Sequence, residues 1–199
     1  MALLARLASA DYRRTRWKNG TGWTTELARD PPGAADAASA FRWRVSIAEV
    51  AADGPFSPFP GVDRELLLLD GAGMRLEFAD AAPVTLTRRL QAARFAGEAA
   101  VTGRLLDGPT RDFNVMARRD AVRMAVDAGA TADLPALIAQ PGVEWLLHLL
   151  DGGVEASAAG ARIRLQAGDS LRVAAAAAPQ PVALRGDGTA VLARFAALP

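Results

Sequence analysis

Six polar residues of this 199-residue chain stand out by type and company: Lys18, Asn19, Arg44, Ser46, Arg64 and Asn114. Lysine occurs once and asparagine only twice, while 22 of the 23 basic residues are arginine. A composition so biased retains Lys and Asn mainly where Arg or Asp cannot substitute, and Lys18 and Asn19 are adjacent. Lysine brings three donors on a flexible stem, arginine a planar fork that matches a carboxylate, and asparagine both a donor and an acceptor. Together they have the chemistry to hold a small anion, a dicarboxylate above all. Each also has a plainer reading. Asn19-Gly20 is a favoured tight-turn pair, Arg44 fits an exposed strand face, Arg64 fits an ion pair with Asp63 or Glu65, and Asn114 fits a backbone-bonding position in a bend.

Other chemistries lack their parts. His148 is the sole histidine and there is no cysteine, so neither a thiolate site nor a multi-histidine transition-metal site can be assembled. No metal and no other cofactor is expected. A lone histidine in a leucine run is more often a satisfied core residue or an outward polar position, and no nucleophile-elbow sequence accompanies His148. Gly20-Thr21-Gly22 lacks the Lys-Ser/Thr ending of a phosphate loop. The carboxylates near these residues, Glu26, Asp53, Asp63 and Asp112, show no spacing that selects an acid/base couple.

The elements that must carry these residues read as β-strands. Phe41, Trp43, Val45 and Ile47 alternate with Arg42, Arg44, Ser46 and Ala48, which puts Arg44 and Ser46 on one face, free to point into one barrel mouth. Similar runs lie at Glu65–Leu69, Met74–Phe78, Val101–Leu106, Ala121–Val126, Trp145–Leu150, Ala161–Leu165, Ser170–Val173 and Ala190–Phe195, separated by Gly, Pro and Asp turns. Only Asp133–Gln140 reads as a short helix, with Asp133 as its cap. Residues 31–40 read as an irregular loop. Trp17, Phe113 and Met116 are expected as pocket wall.

Apolar residues make up 51% and charged ones 23%, enough to bury a core. Basic and acidic residues balance at 23 and 22, and no segment is read as concentrating basic charge, so nucleic acid is not an expected partner. The apolar start is broken by Arg6 before it reaches signal-peptide length, and no run approaches a membrane span. A cytoplasmic protein that engages no membrane is the expectation, and a homodimer stays open.

Glu65-Leu66-Leu67-Leu68-Leu69-Asp70-Gly71 resembles Leu146-Leu147-His148-Leu149-Leu150-Asp151-Gly152, each ending in an apparent Asp-Gly turn. The segment Trp17-Lys18-Asn19-Gly20-Thr21-Gly22-Trp23-Thr24-Thr25-Glu26 is followed by Phe41-Arg42-Trp43-Arg44-Val45-Ser46-Ile47-Ala48. Next come Asp53-Gly54-Pro55-Phe56-Ser57-Pro58-Phe59-Pro60-Gly61-Val62-Asp63-Arg64 and Asp112-Phe113-Asn114-Val115-Met116. These four blocks, in this order, resemble the HutD–Ves family, with Thr21 standing where members often have Gly. The resemblance implies an all-β bicupin, two cupin-like jelly-roll barrels packed in one compact chain. Residues 1–118 would form the first half, with the ligand site, and residues 119–199 the second. It further implies a link to histidine utilisation and a role in sensing an acidic intermediate such as N-formylglutamate. The histidine–carboxylate set of metallo-cupins is missing, since Phe56-Ser57-Pro58-Phe59 occupies the stretch where such histidines would be expected. The chain therefore reads as a metal-free binding or regulatory protein for a small carboxylate, more than as an enzyme. The alternative is a metal-independent isomerase or lyase using Lys18 as base or Schiff-base residue.

Overall fold

A computed structural model of the chain describes residues 2–32 and 41–199. The architecture is all-β and divides into two compact units. Arg13–Ala121 form one; the chain up to Tyr12 joins Val122–Pro199 in the other. The first twelve residues therefore depart from the expected first half. Strand β1 (Leu4–Leu7) pairs antiparallel with Ser170–Val173, Leu4 opposite Val173 and Leu7 opposite Ser170.

The unit Arg13–Ala121 holds β2 (Arg13–Arg16), β3 (Gly22–Asp30), β4 (Trp43–Val50), β5 (Gly54–Pro55), β6 (Val62–Asp70), β7 (Met74–Phe78), β8 (Val84–Leu86), β9 (Ala92–Ala96), β10 (Val101–Leu105) and β11 (Thr110–Arg118). A six-stranded sheet runs β2-β3-β4-β11-β6-β9, and a four-stranded sheet runs β5-β10-β7-β8. They pack face to face because each presents an apolar set. Val50, Leu66, Leu68 and Ala93 from the larger sheet meet Met74, Leu76, Leu86 and Val101 from the smaller. Burying such side chains contributes about 1.5 to 3 kcal/mol each, so this layer holds the sheet on which the candidate residues sit.

Strand β2 is an edge strand, exposed throughout. Arg13, Arg14, Arg16 and Lys18 place four basic residues in six positions here, a local concentration not recognised in the sequence reading. Charge on an exposed edge discourages pairing with other chains. Arg14 also pairs with Glu49 at 2.7 Å and lies 4.3 Å from the centre of the Trp23 ring.

The other unit adds β12 (Val122–Ala130), β13 (Leu137–Ala139), β14 (Val143–Ala158), β15 (Ala161–Gln166), β16 (Ser170–Val173) and β17 (Gln180–Ala197). Its sheet follows β1-β16-β14-β17-β12, with β13 on β17 and β15 on β14. The core is apolar: Val143, Trp145, Leu147, Leu149, Val154, Leu165, Leu171, Val173, Ala190 and Leu192 are among its buried members.

Two local expectations are corrected. The stretch 133–140 is not a helix: a turn at 131–133 leads into β13. Pro135 disfavours helical backbone at Leu134, and Leu137 and Ala139 are buried around exposed Ile138, the period of a strand. Nor is Asp151-Gly152 a turn. The pair Asp70-Gly71 ends β6, whereas β14 continues through Asp151-Gly152 with a register shift between Leu149 and Asp151. Gly152, at φ 80°, lies opposite Gly188, and a side chain there would run into the partner backbone. Of the expected loop at 31–40, residues 33–40 lie outside the described residues. Among the described residues no helix is long and apolar enough to cross a membrane.

Candidate functional site

The pairing register arranges the inner face of the larger sheet in rows. Arg44 on β4 and Arg64 on β6 both lie opposite Met116 on the intervening β11. Phe95 on β9 continues that row beyond Arg64, and Arg29 on β3 continues it beyond Arg44. The next row is Glu26, Ser46, Asn114 and Leu66, and the one after is Thr24, Ala48, Asp112 and Leu68. Because side chains alternate between faces, four of the six candidates, Arg44, Ser46, Arg64 and Asn114, converge on one surface. All four are buried. The expected polar face of β4 is thus an interior face.

The two arginines differ in what they meet. Arg44 Nε donates to Glu26 Oε2 at 2.6 Å, with Arg29 3.9 Å from the same oxygen. Arg64 has no carboxylate partner among the described residues: its Nη1 donates to the Ser57 carbonyl at 3.3 Å, and its Nε is buried without an acceptor. The rings of Phe56, Phe59 and Phe95 surround its guanidinium, with centroids 5.2, 5.5 and 5.1 Å away. Ring faces attract a cation but accept no hydrogen bond in the guanidinium plane. Burial, and then the charge of Arg44, bring the Arg64 pKa down to about 10. The ion pair with Asp63 or Glu65 does not form, because those neighbours face the other way. Asp63 takes Arg119 at 2.8 Å, and Glu65 lies 4.0 Å from Arg94.

Asn114 Nδ2 lies 3.6 Å from Met116 Sδ and its Oδ1 is buried without a partner. Asp112, fully buried in the third row, accepts from Thr110 Oγ1 at 3.1 Å, and its Oδ1 has no partner. Burial drives its pKa up to about 7, with the Thr110 bond acting the other way. Sequence reasoning noted Asp112 without choosing it. The alternation Thr110, Asp112, Asn114, Met116 carries the missed signal, since it marks a strand face shared with the chosen asparagine.

Lys18 and Asn19 lie elsewhere, exposed on the turn between β2 and β3. Asn19 Oδ1 accepts from the Thr21 amide at 3.1 Å and from its hydroxyl at 2.8 Å, and Gly20 has φ 74°. This is local turn chemistry. Lys18 thus stands apart from the buried face that carries Arg44, Ser46, Arg64 and Asn114. Met116 sits fully buried between the two arginines, and Trp17 reaches the inner face through Nε1 to Thr24 Oγ1 at 2.8 Å. Phe113, alternate to Asn114, belongs to the opposite face.

The inner rows do not fit a transition metal. Glu26 is held by Arg44, and Asp112 stands among Thr24, Ala48 and Leu68, so the imidazole and carboxylate donors of such a site are not gathered. Among the described residues no three His, Cys, Asp or Glu side chains come together. His148 lies in the other unit, where its Nδ1 is 2.9 Å from Ser170 Oγ. Ser170 also lies 2.8 Å from the Tyr12 hydroxyl, which donates to the Leu7 carbonyl at 3.0 Å. Ser170 is fully buried, so the pair fastens the N-terminal segment rather than presenting a nucleophile.

The family model described as HutD matches residues 9–192. An uncharacterised 21.2 kDa protein in the hutC 3′ region of Pseudomonas putida is 41% identical over 116 residues, 58% of this chain and 59% of that protein. Protein Ves of Citrobacter koseri is 42% identical over 111 residues, 55% of this chain and 56% of its own length. The match thus spans less than two thirds of these relatives. The solved structure of HutD from Pseudomonas fluorescens SBW25, in a formate condition, is 28% identical with a TM-score of 0.79, covering 98% of this chain and all of that one. A cupin 2 conserved barrel domain protein from Leptotrichia buccalis, 10% identical with a TM-score of 0.56 over 88% of each chain, shares the fold alone. The fold is therefore cupin-like.

Proposed function

The chain belongs to the HutD family, and from that premise we propose that it is a binding protein whose unit Arg13–Ala121 receives a small carboxylate at Arg64, with Arg44, Ser46 and Asn114 around it. The observation that carries this reading is the state of Arg64: a cation only 4% exposed, without a carboxylate partner among the described residues, and with a buried Nε that meets no acceptor. An uncompensated buried charge costs several kcal/mol. The Ser57 carbonyl and the three rings leave its Nε unmet, and an incoming carboxylate supplies the planar pair of acceptors its fork lacks.

Each unit is read as a cupin-like barrel, with the ligand inside the first. The role is regulatory, a response to the level of an acidic metabolite in the cytoplasm. The position of the Pseudomonas putida relative beside hutC favours an intermediate of histidine degradation, N-formylglutamate among them. Calorimetric titration of the chain and of Arg64→Met with N-formylglutamate, glutarate and formate tests the reading. At least one of these anions is expected to bind the unaltered chain, and Arg64→Met to weaken it by roughly ten- to a hundredfold, the loss for a charge-assisted hydrogen bond. Equal affinity in the variant would sink the proposal.

A further inference from the structure

Arg64 is not alone on its face in having an unmet atom. Three buried atoms without hydrogen-bond partners, Arg64 Nε, Asn114 Oδ1 and Asp112 Oδ1, stand in three successive rows of the same inner surface. Successive same-face positions on a strand are about 6.8 Å apart, so the backbone positions of the first and third rows are separated by about 14 Å. Buried side-chain polar atoms in natural folds are nearly always paired. Here these three form a line, and no such atom found among the described residues lies in the unit Val122–Pro199.

The line also has a polarity. Arg64 offers a donor and positive charge, Asn114 offers an amide oxygen, and Asp112 offers a carboxyl oxygen. Its row partners Thr24, Ala48 and Leu68 bring no cation to it. A simple carboxylate bound at Arg64 would leave the Asp112 end unmet. A ligand with a second carboxylate would set like against like whenever Asp112 is ionised. What satisfies all three atoms is a molecule with acceptor oxygens at one end, for Arg64, and at the other a nitrogen with at least two N–H donors, for Asn114 Oδ1 and Asp112 Oδ1. Resting on the carboxylate reading above, we infer that the site runs from Arg64 past Asn114 to Asp112 and takes an elongated amphoteric ligand, its carboxylate at the arginine and its ammonium group donating to Asn114 and Asp112.

Calorimetry separates this from carboxylate binding alone. Straight-chain ω-amino acids of four to six carbons are compared with alkanoates and dicarboxylates of the same lengths, on the unaltered chain, Asp112→Asn and Arg64→Met. One ω-amino acid is expected to bind at least about tenfold more tightly than the alkanoate of its length, the contribution of one charge-assisted hydrogen bond. Asp112→Asn should abolish that preference and leave alkanoate affinity in place, whereas Arg64→Met should weaken both series. Asp112→Asn is isosteric and removes the one ionisable group from its row; if it does not fold, Asp112→Ser serves in its place. Equal binding of the two series, a preference for dicarboxylates, or a preference that survives in both Asp112 variants would overturn the amphoteric assignment. Failure of every probe to bind, or indifference to Arg64→Met, would remove the carboxylate reading itself and this inference with it.

Discussion

The two units are both β-structures with leucine-rich central strands, but they treat buried polarity in opposite ways. In the unit completed by Val122–Pro199, buried polar groups are paired. Asp169 accepts from Arg6 Nε at 3.0 Å, the Gln166 amide at 3.0 Å and the Ser9 amide at 3.3 Å, while His148, Ser170 and Tyr12 bond in series. In Arg13–Ala121, Arg64, Asn114 and Asp112 each keep an unmet atom. A satisfied network rigidifies a fold, and an unsatisfied one weakens it unless something arrives to complete it. The contrast separates a paired, structural use of polar residues from the unmet set on which the proposed carboxylate site rests.

The largest expected test of this contrast is the pH dependence of stability, because the two buried carboxyls shift in opposite directions. Asp112 has a folded pKa of about 7 against an ordinary value of 3.8. The folded state therefore binds more protons than the unfolded state in that interval. Its contribution is fully present below about pH 4 and is lost as pH rises through about 7, by roughly 4 kcal/mol at most. For Asp169, burial acts upward, but bonds from Gln166, Arg6 and Ser9 prevail and hold its pKa below the usual value. Its contribution is present above the ordinary carboxyl range and disappears as pH falls through the depressed value. Urea unfolding from pH 4 to 8 should show stability declining with pH in the unaltered chain and a flatter profile in Asp112→Asn. Indistinguishable profiles would break the comparison on the ligand side.

Next in size, Asp169→Ala should cost about 3 kcal/mol in urea unfolding, because it strands two backbone donors and Arg6 at once. Arg64→Met, removing a charge equally buried, should leave stability unchanged or raise it, since an apolar side chain of similar length replaces an unpaired cation. A loss for Arg64→Met as large as that for Asp169→Ala would make Arg64 a structural residue. At the small end, Arg89→Ala, on an exposed turn, should change unfolding free energy by less than about 0.5 kcal/mol and leave carboxylate affinity intact.

Much of this was legible in the chain itself. The alternation from Phe41 to Ala48 specified a strand and placed Arg44 with Ser46, because the period of two is a property of extended backbone and needs no partner. The pair Asn19-Gly20 specified its turn for the same local reason. Tertiary structure alone decided whether a polar face would meet water or the interior, and so separated buried Arg64 from exposed Lys18, although both stand in motif blocks. It also decided that Asp63 and Glu65, the nearest acids in sequence, cannot reach Arg64, and that Asp112 stands in line with it. Those outcomes depend on which strands pair and in what register, a matter of contacts between residues far apart in the chain that no local pattern encodes.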